Sequence, residues 1–123
     1  MQTRQYVLET GIIADDVEVV ESVIRWIARP PLDDDDTDTS SYEAQGRLRN
    51  TGKKALDSVV IDVSYYDARN DFLGLDKTGF ADPDEMDPGG SLVFSVTLEM
   101  PEGTTRCVLN VSGKRMGFLR DKL

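Results

Sequence analysis

Two acidic runs carry the residues of this chain whose type and spacing could bind a metal ion. In the first run, Asp34, Asp36 and Asp38 alternate along the chain as the first three ligands of an EF-hand calcium loop do. Calcium takes about six to eight oxygen ligands, but no glycine follows at the sharp turn and Gln45 replaces the bidentate glutamate. A hydrated surface loop is therefore favoured, because adjacent like charges repel one another and resist burial.

The second acidic run contains Asp82, Asp84 and Asp87, together with Glu85. It has the same two interpretations, a hydrated loop or a calcium site. Acidic pairs are unavoidable in a chain with 23 Asp and Glu residues, so no pair of carboxylates marks a catalytic cleft. We predict no bound cofactor, and calcium binding by the two acidic runs is kept as an alternative.

The chain lacks the residue type that most often activates a serine or cysteine nucleophile. It has no histidine and a single cysteine, Cys107. These absences exclude Ser-His-Asp and Cys-His catalysis, and a zinc site would need several thiolates. Cys107 falls on the inward face of a predicted strand, so an inert buried thiol is favoured over a reactive one. The sequence predicts a protein that is not an enzyme and that has no intrachain disulfide.

Aromatic side chains could form a binding patch for a carbohydrate or a peptide. The candidates are Trp26, Tyr65 and Tyr66. Aromatic rings in a small sandwich more often pack in the core, so we place Tyr65 inside and Tyr66, on the opposite face of its strand, at the surface. A glycosylation sequon begins at Asn110, whose side chain should point outward.

The charge of the chain restricts its partners and its environment. The formal net charge is −9 and the pI is about 4.4, which argues against nucleic acid as a partner because such a field repels phosphate. The acids are mostly Asp and the bases mostly Arg, a bias typical of halophilic archaea, since short carboxylates stay hydrated in molar salt.

Hydropathy gives no sign of a membrane segment. No stretch approaches the about 18 apolar residues that would span a bilayer, so no membrane insertion is predicted. Residues 1–10 lack the apolar run of a signal peptide. We therefore expect either a cytosolic protein or a chain cut downstream of an anchor.

Short β-branched and aromatic runs, separated by turn signals, predict an all-β fold. The strongest strand covers 56–67 and should point Val59, Ile61, Val63 and Tyr65 into the core. Two later strands repeat the alternation, and their inward residues are Leu92, Phe94, Val96 and Leu98 in the first and Thr105, Cys107, Leu109 and Val111 in the second.

The other segments are shorter or ambiguous. Residues 17–29 are rich in Val, Ile and Trp, which favours a strand with a bulge near Glu21-Ser22, although the polar spacing over 17–27 also fits a helix. Further strands are predicted at 42–49 and 72–75.

The sum of these elements predicts an immunoglobulin-like antiparallel β-sandwich of about seven strands without a disulfide. The sandwich domain should span 17–113. Residues 1–16 would then form an N-terminal tail or an edge strand, and residues 114–123 a C-terminal tail.

Turn motifs bracket the strongest strand. Residues 46–52 read Gly-Arg-Leu-Arg-Asn-Thr-Gly and precede it, Tyr66-Asp67 ends it, and Met86-Asp87-Pro88-Gly89 leads to the strand with inward Phe94. The Asp67 side chain should start a hairpin turn by accepting backbone N–H groups.

In this order the motifs resemble the FxLYD domain family, immunoglobulin-like modules of bacterial and archaeal proteins. The resemblance covers residues 42–112; Val63 and Tyr65 stand where the family motif has Phe and Leu, and Tyr66-Asp67 is kept. The family implies an immunoglobulin-like fold and a location at the cell surface or outside the cell. It brings no catalytic residues.

The functional expectation is a non-catalytic interaction or spacer module with an unidentified protein partner. Exposed strand edges of such a sandwich can accept a partner strand. A calcium-dependent binding module that uses loops 33–38 and 82–87 is the alternative. The sequence leaves the ligand and the oligomeric state open.

Overall fold

Seven strands make up the described part of the chain, and no helix is found there. The structure is a computed structural model that describes residues 4–29, 40–80 and 86–115. The strands are β1 (Leu8–Ile13), β2 (Val17–Ile27), β3 (Ser41–Asn50), β4 (Leu56–Tyr66), β5 (Phe72–Phe80), β6 (Ser91–Leu98) and β7 (Arg106–Arg115). The all-β prediction and the expected strand number are confirmed.

The strands form two sheets, with the orders β1-β7-β4-β5 and β2-β3-β6. Their facing sides share one core, in which Leu48 and Phe94 of the smaller sheet cluster with Ile61 and Leu109 of the larger. This arrangement is the predicted β-sandwich, with Cys107 as a free cysteine. In a constant-type immunoglobulin domain the first, second, fourth and fifth strands share one sheet. Relative to that pattern, β2 and β7 have exchanged sheets.

The N-terminal segment, predicted as a tail or an edge strand, contains an edge strand. β1 pairs with β7 in parallel, with Leu8 opposite Cys107, whereas the other four ladders are antiparallel. The sandwich is therefore mixed rather than purely antiparallel. At the other terminus, β7 reaches Arg115, opposite Leu56, so the strand extends into the region assigned to the C-terminal tail.

β2 is a strand rather than a helix, because its β-branched residues fit a pleated edge better than a helical turn. Its register shifts between Val19 and Glu21, close to the predicted bulge. β2 pairs only with β3, so its other edge carries no strand of the described chain. A bulge and charged side chains on such an edge discourage unwanted strand pairing.

Most predicted core faces are confirmed, and two details differ. All four predicted inward residues of β4 are buried. Thr105 is exposed while Thr104 is buried, because Thr104 closes a turn by donating its hydroxyl to the Pro101 carbonyl at 2.7 Å and β7 begins only at Arg106. β5 continues past 75 to Phe80, where polar residues hid it from the hydrophobic pattern.

Two corners fix the ends of β3 and β4. Asn50 is fully buried, and its amide donates to the Lys54 carbonyl at 2.8 Å and the Met86 carbonyl at 2.9 Å. Its side-chain oxygen accepts the Gly52 N–H at 2.9 Å. After β4, the Asp67 carboxylate accepts backbone N–H groups of Arg69 and Asp71, each at 2.9 Å, which confirms the predicted hairpin corner.

A hydrogen-bonded bridge joins the two sheets next to the core. The buried Tyr65 hydroxyl donates to Asp76 Oδ2 at 2.6 Å, and the Glu99 N–H donates to the same oxygen at 2.7 Å. Burial, followed by the nearby Asp76 carboxylate, raises the pKa of Tyr65 above its ordinary range. Tyr65 therefore stays a neutral donor and links β4 to β5 while Asp76 holds the chain after β6.

The outer face of the smaller sheet buries one carboxylate. Glu43 is 7% exposed and accepts hydrogen bonds from Arg29 Nη2, from Ser95 Oγ at 3.0 Å and from Gln45 Nε2 at 3.3 Å. The Arg29 guanidinium is the main cause that lowers the pKa of Glu43, with burial opposing it. Arg29 also donates its N–H to Ser40 Oγ at 2.7 Å. The cluster ties the end of β2 to the start of β3.

This cluster predicts an acid-sensitive contribution to stability. A carboxyl whose folded-state pKa is lowered stabilises the fold above its ordinary titration range and loses that effect as the pH falls through the folded-state pKa. We expect Glu43→Gln to lower the urea midpoint at about pH 7, and the gap to the wild type to shrink towards about pH 3. Urea unfolding across this pH range measures the gap. Glu18→Gln, at an exposed pair with Arg49 at 3.5 Å, is the control. A gap that stays constant with pH would contradict the assignment.

Candidate functional site

Three aromatic rings meet at one end of the sandwich. Trp26 lies near the end of β2 and Tyr42 near the start of β3, and the two residues are paired across the ladder. Their ring centroids are 4.8 Å apart with an interplanar angle of 65°. Tyr6, from the segment before β1, packs edge-on against Tyr42 at 5.1 Å. Register thus brings together residues that are distant in sequence.

The rings line an open groove of about 720 Å³. We call it the aromatic groove; it is lined by Arg4, Tyr6, Trp26 and Tyr42 and by residues 98–105, which run from the end of β6 to the residue before β7. Ser40 and Ser41 add hydroxyls. Trp26 is 42% exposed, although it stands on the inward face of β2. Trp26 is therefore an accessible aromatic residue in the lining of the groove.

Charged groups of both signs surround the aromatic groove. The Arg4 guanidinium lies 5.1 Å from the centroid of the Tyr6 ring, within cation–π distance. Glu99 and Glu102 are exposed acidic residues that also line the groove. The Tyr42 hydroxyl donates to the Arg4 carbonyl at 2.7 Å, and burial is the main cause that raises the pKa of Tyr42. Tyr42 is therefore a neutral donor.

The groups in this groove can bind a ligand by stacking, hydrogen bonding and charge. Among the residues that the structure describes there, no cysteine or histidine stands in the groove. Aromatic rings contribute large contact areas at low entropic cost, and Trp, Tyr and Arg dominate binding energies at protein interfaces. The arrangement is suited to recognition.

Sequence reasoning identifies one of the three rings. It makes Trp26 a candidate, but it assigns Tyr42 to an ordinary half-buried strand and Tyr6 to the terminal segment. The missed signal is cross-strand register: once β2 and β3 pair, Trp26 and Tyr42 become neighbours. The position of Tyr6 depends on where the chain enters β1, which no local pattern specifies.

The other aromatic candidates lie elsewhere. Tyr65 is buried, as predicted. Tyr66 is half-buried on the outer face of the larger sheet, with Phe72 at 5.9 Å and the Arg106 guanidinium 5.3 Å from its ring centroid. Arg106 also holds Glu9 through two hydrogen bonds of 3.0 and 3.1 Å. Tyr66 therefore belongs to a packed surface cluster and not to the aromatic groove.

Most of the acidic candidates fall outside the described residues. This applies to Asp34, Asp36 and Asp38 of the first run and to Asp82 and Asp84 of the second. Asp87 is described and exposed, and its carbonyl accepts the Gly90 N–H at 2.7 Å in a turn. Within ranges 4–29, 40–80 and 86–115, no group of three or more metal-ligating side chains is found. The calcium alternative stays a prediction.

The structure also places the remaining two candidates. Cys107 is fully buried, and burial is the main cause that raises its pKa to about 11, so the thiol form dominates at neutral pH. Asn110 lies on the outer face as expected, but its amide donates to Asp62 Oδ1 at 2.9 Å and its oxygen accepts the Ile12 N–H at 2.9 Å. The same amide donates to Ser64 Oγ at 3.3 Å, and a glycan would replace one of its two hydrogens, so attachment at Asn110 would cost one of these two bonds.

Comparison with known proteins gives no match to a family model, to a curated protein or to a solved structure. The resemblance to the FxLYD family therefore rests on the motifs of this chain. In the described part of the chain, no helix is long and apolar enough to cross a membrane.

Proposed function

We propose that this chain is a non-catalytic interaction module that holds a segment of a partner protein in the aromatic groove. The observation that carries the proposal is the exposed ring of Trp26, packed against Tyr42 at the wall of a groove of about 720 Å³. A large aromatic side chain left open beside polar groups is typical of a binding surface.

The charge of the chain suggests the chemistry of the partner. The net charge is −9, and Glu99 and Glu102 are among the residues that line the groove. A basic segment complements these carboxylates, and its cationic groups can also stack on the open face of Trp26. We therefore propose a partner segment that carries Lys or Arg beside aromatic residues.

The location of the module remains part of the same proposal. The proposal rests on the order of the motifs in this chain, from residues 46–52 through Tyr66-Asp67 to Met86-Asp87-Pro88-Gly89, which resembles that of the FxLYD family. On that resemblance we propose a role at the cell surface or outside the cell.

Removal of the exposed ring tests the binding role. We expect a fluorescein-labelled octapeptide of alternating lysine and tyrosine to bind, and Trp26→Ala to weaken its affinity by about 2 kcal/mol, or about 30-fold. Fluorescence anisotropy measures the affinity of every variant. Because Trp26 is the sole tryptophan, its own emission reports in the wild type whether the peptide reaches the groove.

Two controls accompany this measurement. Val93→Ala removes an apolar side chain that is 66% exposed on the outer face of the smaller sheet, and it should leave the affinity unchanged. A peptide with glutamate in place of lysine should bind more weakly, since its charge opposes that of the chain. Equal affinity of the wild type and Trp26→Ala for the lysine peptide would refute the proposal.

A further inference from the structure

Part of the wall of the aromatic groove comes from a segment that lies outside the strands. Residues 4–7 precede β1 and belong to no strand. Arg4 and Tyr6 line the groove of about 720 Å³ and also a second cavity of about 400 Å³, which shares Trp26 and Tyr42. Arg4 and Tyr6 therefore separate the aromatic groove from the second cavity.

Side-chain contacts hold residues 4–7 in place between the aromatic groove and the second cavity. Its backbone is held by the bond from the Tyr42 hydroxyl to the Arg4 carbonyl at 2.7 Å. Its aromatic residue, Tyr6, packs on the Tyr42 ring at 5.1 Å, and the Arg4 guanidinium lies 5.1 Å from the Tyr6 centroid. Gln5 and Val7 are exposed. The contacts are those that a short extended peptide could make as a separate molecule.

We infer that residues 4–6 act as a displaceable internal ligand, and that the partner segment resembles them: an extended stretch with a basic residue two positions before an aromatic residue. This inference rests on the proposed function and specifies its ligand. The partner's backbone carbonyl would accept a hydrogen bond from the Tyr42 hydroxyl, and its ring would take the place of Tyr6. Its cation would lie over that ring, as Arg4 lies over Tyr6, in a groove that Glu99 and Glu102 also line.

A peptide supplied in trans tests the inference. The probe is the acetylated and amidated peptide Arg-Gln-Tyr-Val-Leu, which has the sequence of residues 4–8. Tyr6→Leu loosens the chain's own segment while keeping apolar surface against the core edge, and Tyr6→Ala removes it further. We expect Tyr6→Leu to bind the probe about fivefold more tightly than the wild type. The reason is that residues 4–6 of the variant compete less with the probe for the same site.

Two additional variants test whether the probe binds at the site that residues 4–6 occupy. Tyr42→Phe in the Tyr6→Leu background should weaken binding about fivefold, since the hydroxyl donor to the peptide carbonyl is lost. Val7→Ala changes a side chain of the same segment that is 78% exposed and should bind the probe as the wild type does. Acrylamide quenching of Trp26 without peptide gives an independent reading, and we expect it to be stronger in Tyr6→Leu.

The outcomes separate this inference from the proposed function. Equal probe affinity of the wild type and both Tyr6 variants, with unchanged quenching, overturns the internal-ligand inference. The same inference fails if the lysine–tyrosine octapeptide binds and Arg-Gln-Tyr-Val-Leu does not, and the proposed function then stands. If neither peptide binds any variant, both fail. The wild type could also be a dimer on size-exclusion chromatography that Tyr6→Leu converts to a monomer. That result would show that the site of residues 4–6 binds a second copy of the chain, and it would overturn the proposal of a foreign partner.

Discussion

Gly46→Ala should lower the free energy of unfolding by about 3 kcal/mol, near the upper end for an overpacked core position. A Cβ atom at position 46 would lie 2.2 Å from the Glu21 carbonyl oxygen and 2.6 Å from Phe94 Cζ. The bulge in β2 precedes Glu21 directly, so the obstructing oxygen belongs to backbone that β3 holds through its ladder. Neither neighbour can move away without disturbing the core or the bulge.

Gly103→Ala is the matched control for this substitution. Gly103 has a φ of 90°, and a Cβ atom added there would meet no other atom within 4 Å, so the expected loss is only about 1 kcal/mol of backbone strain. Adding Phe94→Leu to Gly46→Ala should not restore stability, because the contact with the Glu21 oxygen remains. Guanidinium unfolding measures both variants. A Gly46→Ala protein as stable as Gly103→Ala would show that the bulge can relax.

Asn50→Ala should cost about 3 kcal/mol, since it removes three side-chain hydrogen bonds worth about 1 kcal/mol each from a fully buried corner. The lost bonds join β3 to the Lys54 carbonyl, the Met86 carbonyl and the Gly52 N–H. The corner therefore connects three separate segments, and its loss should be felt across one end of the sandwich.

Asn50→Asp gives a sharper version of the same test. Aspartate keeps an acceptor for the Gly52 N–H but turns a carboxylate oxygen towards two carbonyl oxygens, so the loss should be at least as large as for alanine. Thr51→Ala, at the exposed next residue, should change stability little. Thermal and urea unfolding check the series. A stable Asn50→Asp protein would mean that the corner does not depend on the two amide donations.

The sandwich could be predicted because its core strands repeat with period two. Val59, Ile61 and Val63 alternate with polar or half-buried neighbours, and this pattern depends only on adjacent residues. The parallel pairing of Leu8 with Cys107 could not be predicted, since it joins residues almost a hundred positions apart and leaves no mark in either segment. The predicted extent of β5 is too short for another reason: Asp76 faces the core side of the sheet as a hydrogen-bonded acceptor, which resembles a loop residue in sequence.

The candidate site was less accessible to sequence reasoning than the fold. Trp26 could be named as a candidate from its residue type alone. The exposure of this residue could not be predicted, because the alternation of β2 places Trp26 on the inward face, and yet it is 42% exposed. The buried Glu43 was also unexpected, since a carboxylate on an outer face is ordinarily solvated, and its cover comes from Arg29 after the end of β2.

The parallel pairing of β1 with β7 determines how the sandwich responds to pulling. Leu8 and Arg115 lie at opposite ends of these two neighbouring strands, and both strands run in the same direction. Tension applied between Leu8 and Arg115 would therefore draw the strands past each other along their length. The hydrogen bonds between the two strands would bear the load in shear and at the same time, and they would not open one after another. The ladder between β1 and β7 would therefore bear such a load directly.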